Sequence, residues 1–316
     1  MISVILATHN GAPTLPLTLD AMAAIRLPEE AVEFIVIDNA STDETPKIIR
    51  TSVNHLTLIT LHEPKKGKSF ALNRGIEAAT GDLLVFTDDD VLPHHGWLCA
   101  YREAAETRPD VGLFAGQVRH CWQRQPPEWL ERLATEGRSY GGTPIERVTG
   151  PIKAHSFKGA NFMVRRSMMN GHRFNTDAST NYGSSKNAAG GEDTRFVKEL
   201  AARGVRTLYV QEAIVQHIVR PEQIGVFPVL KRYYRIGKAI ANGAQETSPT
   251  NIKTIYGFPR HLIRSIATRS IRAIGDYLSG EKYKAMSLML DVAIDAGIGR
   301  QMAFLKSSSN EDRKTS

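Results

Sequence analysis

The chain has 316 residues, 41% of them hydrophobic, with two cysteines and a formal net charge of +7. That length can bury one large domain with or without an extension, and Cys99 and Cys121 lack metal-ligand spacing, which argues against a disulfide framework or zinc site and suits a reducing, cytoplasmic compartment. No run approaches the roughly 18 apolar residues that span a bilayer, and Met1 leads into residues 2–6 without a basic leader, against a secretory signal.

Residues 2–8 are an apolar, β-rich run ending in Thr8-His9-Asn10-Gly11. A helix follows over about 16–25, with Leu15, Leu19, Met22 and Ala23 on one face. Residues 34–38 repeat the buried-strand pattern and end in Asp38. Ser41 and Glu44 have the spacing of a capping box for a helix through Arg50. Residues 56–61 read as a third strand, and Leu72, Ile76 and Ala79 as the inward stripe of a helix closed by Gly81. Residues 83–86 then form a fourth strand that runs into Asp88, Asp89 and Asp90. This alternation predicts a mostly parallel, Rossmann-like sheet with right-handed crossovers, whose ligands sit beyond the carboxyl ends of the strands. Thr8, Asp38 and the three aspartates all lie at such ends. Adjacent carboxylates raise one another's pKa unless a cation sits among them, and in an extended backbone Asp88 and Asp90 face the same way and can share a divalent ion. A polar turn before the helix at Trp97 is the bland alternative.

The segment after the first strand lacks the G-x-G-x-x-G fingerprint, and Gly67-Lys68-Ser69 fails as a P-loop because His62 stands where its first glycine belongs. Residues 111–118 and 159–164 are further strands, and Trp122 and Trp129 flank a Pro126-Pro127 break where packing is the commoner role. Residues 170–191 are rich in Gly, Ser and Asn, as in a functional or slack loop, including a stretch over 182–191 with the character of a lid. A helix from Gly191-Glu192-Asp193-Thr194 to about Arg203 turns Phe196, Val197 and Leu200 inward. Strands over 206–210 and 213–218 follow, the second ending near His217.

Beyond Pro221 the pattern is helical and basic, over 227–241, 259–278 and 282–294, with a polar, disordered tail at 307–316. Residues 220–316 hold 16 Lys and Arg against 8 Asp and Glu, which leaves 24 against 25 in residues 1–219. A neutral body with a basic end disfavours nucleic acid and suits an anionic surface such as a membrane leaflet. Leu230, Tyr233, Tyr234 and Ile236, set among Lys231, Arg232, Arg235 and Lys238, are the expected docking face; a helical appendage with a solvated face is the alternative.

Thr8-His9-Asn10, Asp38-Asn39-Ala40-Ser41-Thr42-Asp43, Ala71-Leu72-Asn73, Gly81-Asp82, Asp88-Asp89-Asp90, Gly191-Glu192-Asp193-Thr194 and His217 stand in an order that resembles family 2 glycosyltransferases with the GT-A fold, over roughly residues 1–220. Ala7 and His9 depart from the Pro and Tyr frequent in that family. The Q-x-x-R-W signature of processive synthases is absent, which implies single additions. The resemblance implies a GT-A domain over 1–220 with a basic helical extension over 221–306. It implies an inverting transferase that moves a sugar from a nucleoside diphosphate sugar, a UDP-sugar by preference, to a saccharide or lipid-linked acceptor in polysaccharide, lipopolysaccharide or glycolipid synthesis, on the cytoplasmic face of a membrane. Thr8, Asn10, Asp38, Lys68, Asp88 and Asp89 would hold the donor. Asp90, Asp88 and His217 would hold Mn²⁺ or Mg²⁺. Asp193, with Glu192 beside it, would be the catalytic base, its pKa kept low by the helix N-terminus.

Taken singly, Asp193 reads as well as a helix-start acid, Asp38 as a cap, His217 as a core histidine and Lys68 as a solvated charge beside Lys65 and Lys66. The competing functions are a nucleotidyltransferase and a nucleotide-sugar-binding protein without catalysis.

Overall fold

β1 (Ile2–Thr8) is buried along its whole length, with Val4 and Leu6 in one hydrophobic layer and Ile5 and Ala7 in the other. Burial on both faces is what a near-continuous apolar run demands, and it makes β1 a central strand. The computed structural model describes residues 1–52, 58–176, 191–243 and 253–315. These fall into two units, the first of Met1–Gln123, Ala134–Ala188 and Glu192–Val219, the second of Arg124–Leu133, Ala189–Gly191 and Arg220–Ser316.

In the first unit β1 pairs in parallel with β2 (Val32–Asp38) on one side and, on the other, with β4 (Leu83–Thr87), while β3 (Leu58–His62) lies outside β2. The chain builds outward from β1 to β3 and then crosses back to β4. The carboxyl ends of β1 and β4 therefore flank the point where strand order reverses, the place where open sheets of this kind leave a crevice. α1 (Leu15–Ala23), α2 (Thr45–Ser52) and α4 (Trp97–Thr107) pack on the layer with Val4 and Leu6, and α3 (Lys68–Ala78) covers the opposite face. The sheet continues from β4 through β8 (Asn161–Arg165), β6 (Leu113–Trp122) and β9 (Thr207–Val219) to β5 (Val91–Pro93), with β7 (Gly150–Pro151) pairing β9. α6 (Glu192–Ala202) buries Phe196, Val197 and Leu200 against the α3 side, as its periodicity predicts.

Several local expectations are corrected. Ala23 is exposed, and the inward face of α1 is Leu15, Thr18, Leu19 and Met22. Ser41 does not cap α2. Its Oγ accepts the Asn10 N–H, and the helix begins at Thr45, whose N–H donates to Asp43 Oδ1. Gly81 is needed for close approach, since a Cβ there would lie 2.6 Å from Ser3 Oγ and 2.8 Å from the Met1 carbonyl, against β1. The two late strands are one, β9, in which residues 211–213 bulge out between the Gly116–Val210 and Gln117–Ile214 pairings. The first residues of the third strand, 53–57, and the lid stretch 177–190 lie outside the described residues.

Asn161 holds that bulge. Its Nδ2 donates to the carbonyls of Gln117 and Ala213, and its Oδ1 accepts from Trp97 Nε1 and Tyr101 Oη. All four bonds are buried, and each abandoned partner would bear a desolvation penalty.

The second unit comprises helices around a long axis. α5 (Glu128–Thr135) starts in it, and Arg132 lies over the Tyr283 ring, 3.9 Å from its centroid. α7 (Val226–Gly243) and α9 (Lys282–Thr315) cross at two glycines: a Cβ on Gly237 would sit 2.1 Å from the Ile294 carbonyl, and one on Gly297 2.1 Å from that of Tyr234. α8 (Arg260–Leu278) also packs on α9, where Asp295 accepts from Ser265 and Arg269. A two-stranded hairpin, β10 (Thr254–Ile255) and β11 (Phe258–Pro259), precedes α8. Helix α9 runs on to Thr315, across most of the stretch expected as a disordered tail. No helix is long and apolar enough to cross a membrane among the described residues.

Replacing Asn161 with Ala should lower unfolding free energy by about 3 kcal/mol or more, because four buried groups lose a hydrogen-bond partner at once. Chemical denaturation of the first unit's transition measures it.

Candidate active site at the carboxyl ends of β1 and β4

Lys68 is placed by its neighbours before it by any ligand. Asn39, fully buried just beyond β2, donates through Nδ2 to the carbonyls of Glu63 and Lys65 and accepts the Gly67 N–H on Oδ1. That clamp fixes the turn ahead of α3, where Gly67 adopts φ 139°, and so sets the first residue of the helix, Lys68. The Lys68 ammonium then donates to Asp88 Oδ1 at 2.7 Å and Asp193 Oδ2 at 3.0 Å, with Glu192 Oε1 at 3.9 Å. Three segments far apart in the chain, the ends of β4 and the starts of α3 and α6, thus share one cation.

Gly159 makes room for this. A Cβ there would stand 1.9 Å from Asp193 Oδ2, so only glycine lets the carboxylate occupy its present position. Asp193 Oδ1 is buried and meets no hydrogen-bond partner among the described residues. Burial pushes the Asp193 carboxyl up to about 7, against the pull of Lys68 and with the repulsion of Glu192 and Asp88. This overturns the expectation that a helix N-terminus would keep the group low; desolvation outweighs the dipole.

The three aspartates part company. The backbone turns after Thr87 instead of staying extended, so Asp88 and Asp90 do not face one point. Asp88 goes to Lys68. Asp89 turns inward and accepts the Thr8 hydroxyl, which is fully buried. Burial and then Asp90 push the Asp89 carboxyl up to about 7. Asp90 meets His217, Nε2 to Oδ2 at 3.2 Å, where β5 and β9 pair Val91 with His217 and the Ile218 N–H donates to the Asp90 carbonyl.

At the other side of the rim, Asp38 is buried, accepts the Ser41 N–H on Oδ1 and lies 3.0 Å through Oδ2 from His62 Nδ1. Asn10, at φ 55°, accepts the Thr42 N–H and ties the loop after β1 to the loop after β2. Of the residues expected at the donor, Lys68, Asp88, Asp38 and Asn10 lie at or just beyond the strand ends, and Thr8, at the end of β1, is buried with its hydroxyl donating to Asp89. Gly11 and Gly159 carry no signal of their own in the sequence, and Asn39 has one cue, its place immediately after a strand-end acid.

The metal expectation can be tested on the donor set. Cis ligands of a six-coordinate Mg²⁺ or Mn²⁺ at about 2.1 Å are roughly 3 Å apart, and the Asp90 and His217 pair stands at 3.2 Å. No cluster of three or more His, Cys, Asp or Glu suited to a metal occurs among the described residues. A pair of protein donors, completed by substrate phosphate and water, is the usual arrangement for such an ion, and these two residues fit it.

The large, mostly parallel sheet flanked by helices, with its strand order reversing beside a carboxylate rim, has the GT-A fold of glycosyltransferases. The sequence matches the glycosyl transferase family 2 description over residues 3–172, more than half of its length, and the chain belongs to that family. It is 26% identical over 244 residues to glycosyltransferase AglE of Haloferax volcanii, covering 75% of this chain and 72% of that one. It is 27% identical over 231 residues to the succinoglycan biosynthesis protein ExoM of Rhizobium meliloti, covering 72% and 70%. Among solved structures, the mannosyltransferase PcManGT from Pyrobaculum calidifontis, in complex with GDP-Man and Mn²⁺, superposes with a TM-score of 0.61 at 22% identity over 94% of this chain and 86% of that one. The protein is therefore a glycosyltransferase enzyme of glycan synthesis, and the nucleotidyltransferase and non-catalytic alternatives are set aside.

Gly159→Ala should cut sugar-transfer turnover by about 10²-fold or more, since it displaces Asp193 by an ångström-scale shift, while circular dichroism stays that of the parent chain. Steady-state kinetics with both proteins checks it.

Proposed function

We propose that the protein is an inverting, divalent-metal-dependent transferase that moves a single sugar from a nucleoside diphosphate sugar to the hydroxyl of a saccharide or lipid-linked acceptor. The observation that carries this reading is the shared hold of Lys68 on Asp88 and Asp193, which sets a donor-side acid and a candidate base within one side chain's reach.

In this reading Asp193 is the base. Its carboxylate takes the proton of the acceptor hydroxyl as that oxygen attacks the anomeric carbon, and the bond from that carbon to the diphosphate oxygen breaks with its electron pair leaving on the diphosphate. One base on the face opposite the leaving group makes a single displacement, so configuration inverts. General-base help of this kind is worth about 10²–10⁴-fold. Glu192, buried beside Asp193, adds the negative charge that keeps the base proton-hungry. Lys68 meets the diphosphate charge. Asp90 and His217 would hold Mn²⁺ or Mg²⁺, which would supply charge neutralisation to the leaving diphosphate without a proton. Asp38 and Asn10 border the nucleoside end. The donor expected from the family resemblance is a UDP-sugar; PcManGT, bound to GDP-Man, makes guanosine donors the first competitor. The basic C-terminal unit faces an anionic membrane surface on the cytoplasmic side, where a lipid-linked acceptor would be presented.

A panel of UDP- and GDP-sugars with Mn²⁺, followed by nucleotide release, tests the reading. Chelation should abolish turnover and added Mn²⁺ restore it. Asp193→Asn should lose about 10²–10⁴-fold in turnover while donor affinity holds; a variant that keeps parental turnover overturns the assignment. Because the active form is the carboxylate and burial pushes the Asp193 carboxyl up to about 7 in the donor-free enzyme, kcat/KM for the donor should rise with pH and level off above neutrality, and that limb should vanish in Asp193→Asn.

A further inference from the structure

Of the docking face expected on α7, Ile236, Lys231 and Arg235 are exposed, while the other apolar residues are partly covered. Leu230, Tyr233 and Tyr234 of α7 are half-buried, because α7 presses on α9 through Gly237 and Gly297. Val226, Phe227, Ile236 and Ile240 of α7 are exposed as well, but α8 carries the run of strongly exposed apolar residues, with Ile271, Ile274 and Leu278 at 72%, 60% and 80% accessible. At 100° per residue, these three positions and Ile263 fall within about a quarter-turn of one another. Helix α8 therefore carries a continuous outward stripe.

The stripe does not end at the start of the helix. Ile255, Tyr256 and Phe258 of the hairpin line one apolar groove of about 560 Å³ together with Ile263, Ile266 and Ala267 of α8 and Arg300 and Ala303 of α9. The hairpin tip is built to project: Tyr256 and Gly257 take φ 49° and 80°, the two-residue turn with both angles positive that matches strand twist. Behind it Phe258 packs on Gly299, where a Cβ would meet the ring at 2.0 Å. This support leaves Tyr256 fully exposed.

The charge around this surface has one sign. Helix α8 bears four arginines and a single acid, Asp276. Arg269 is engaged inward with Asp295, but Arg260, Arg264 and Arg272 are exposed and make no ion pair among the described residues. Lys253 and Arg300, also exposed, add cations at the hairpin and the groove.

We propose that the hairpin tip and the outward stripe of α8 form a membrane-docking face, which lies in the plane of an anionic leaflet with Tyr256, Ile271, Ile274 and Leu278 inserted and the arginines at headgroup level. Helices with this division of apolar stripe and cationic flank settle at the acyl and headgroup boundary without crossing it. A second copy of the chain is the other candidate for such a face. An isologous dimer would set the same arginines against themselves across its axis, whereas anionic lipid offers the complementary charge. The proposal deepens the membrane-facing part of the reading above and rests on it for its purpose only. Lipid binding is read without donor or acceptor, so either can fail while the other stands.

The test uses the full chain and extruded vesicles of phosphatidylcholine, alone or with about 30% phosphatidylglycerol, separated by flotation. The chain should float at least about tenfold more with the anionic vesicles, and less as salt rises and screens the arginines. Ile271→Glu combined with Ile274→Glu should weaken flotation about tenfold or more while nucleotide release from the donor stays parental, which also reports that the chain is folded. Arg260→Gln with Arg264→Gln should remove most of the preference for anionic lipid and spare the remainder. Failure to float with either vesicle, or flotation unchanged in the isoleucine variant, overturns the proposal. So does a dimer in sedimentation velocity that the isoleucine variant dissociates.

Discussion

The contact on which the site depends is the Lys68 ammonium set between Asp88 and Asp193. Two carboxylates brought this close in a poorly solvated place repel, and taking an ion out of water costs about several kcal/mol even after relaxation. A lysine held by its own helix start offsets both at once. The lysine in turn depends on Asn39, which fastens Gly67 across from β2. The cation, its two partners and its clamp come from four separate segments, so the cluster exists only when β2, β4, α3 and α6 are all in place. Fold and site are in that sense one object.

Around this cluster much of the chemistry is done by what is left out. Gly159 keeps a side chain away from Asp193, and Gly11 does the same for Thr8 and Asp89, where a Cβ would come within 2.4 Å of both. Asn161 acts at longer range: by holding the bulge in β9 it sets the register in which His217 arrives opposite Val91. Without those extra residues the alternation of β9 would turn His217 to the other face. Hence a buried amide with no access to ligand helps decide whether Asp90 finds a nitrogen partner.

The alternation of strands and helices up to β4 was legible because burial on both faces leaves an uninterrupted apolar run, and the acids at strand ends stood out as its termination. The partner of each acid was not legible. Extended geometry puts Asp88 and Asp90 together, but the chain has to turn after Thr87 to deliver β5 to β9, and the turn sends the three carboxylates to Lys68, Thr8 and His217 separately. Ser41 and Thr8 look like a cap and a ligand from their positions; both are used to tie neighbouring loops, a tertiary demand that local spacing does not encode. The raised carboxyl of Asp193 was likewise hidden, because a helix start is visible in sequence and burial by Gly159 and its neighbours is not. On the C-terminal side, α7 and α8 both show apolar residues among cations. The glycines that let α7 sink into α9 explain why Leu230, Tyr233 and Tyr234 are partly covered while Ile271, Ile274 and Leu278 stay open.

The sign of the charge at the rim bears on how an anionic donor can be accommodated there. Lys68 faces Asp88, Glu192 and Asp193, and is already engaged by two of them. A diphosphate approaching this rim adds negative charge to a carboxylate-rich place, and one ammonium shared with two acids cannot by itself offset it. On the proposed reading Asp90 and His217 would hold a divalent ion that would supply the missing positive charge. The diphosphate, drawing Lys68 toward itself, would at the same time loosen the hold on Asp193. Freed from Lys68, the Asp193 carboxylate would bind a proton more strongly, since Lys68 is what pulls its pKa down against burial. Stability of the resting site and strength of the base follow from one lysine with two competing anionic claims on it.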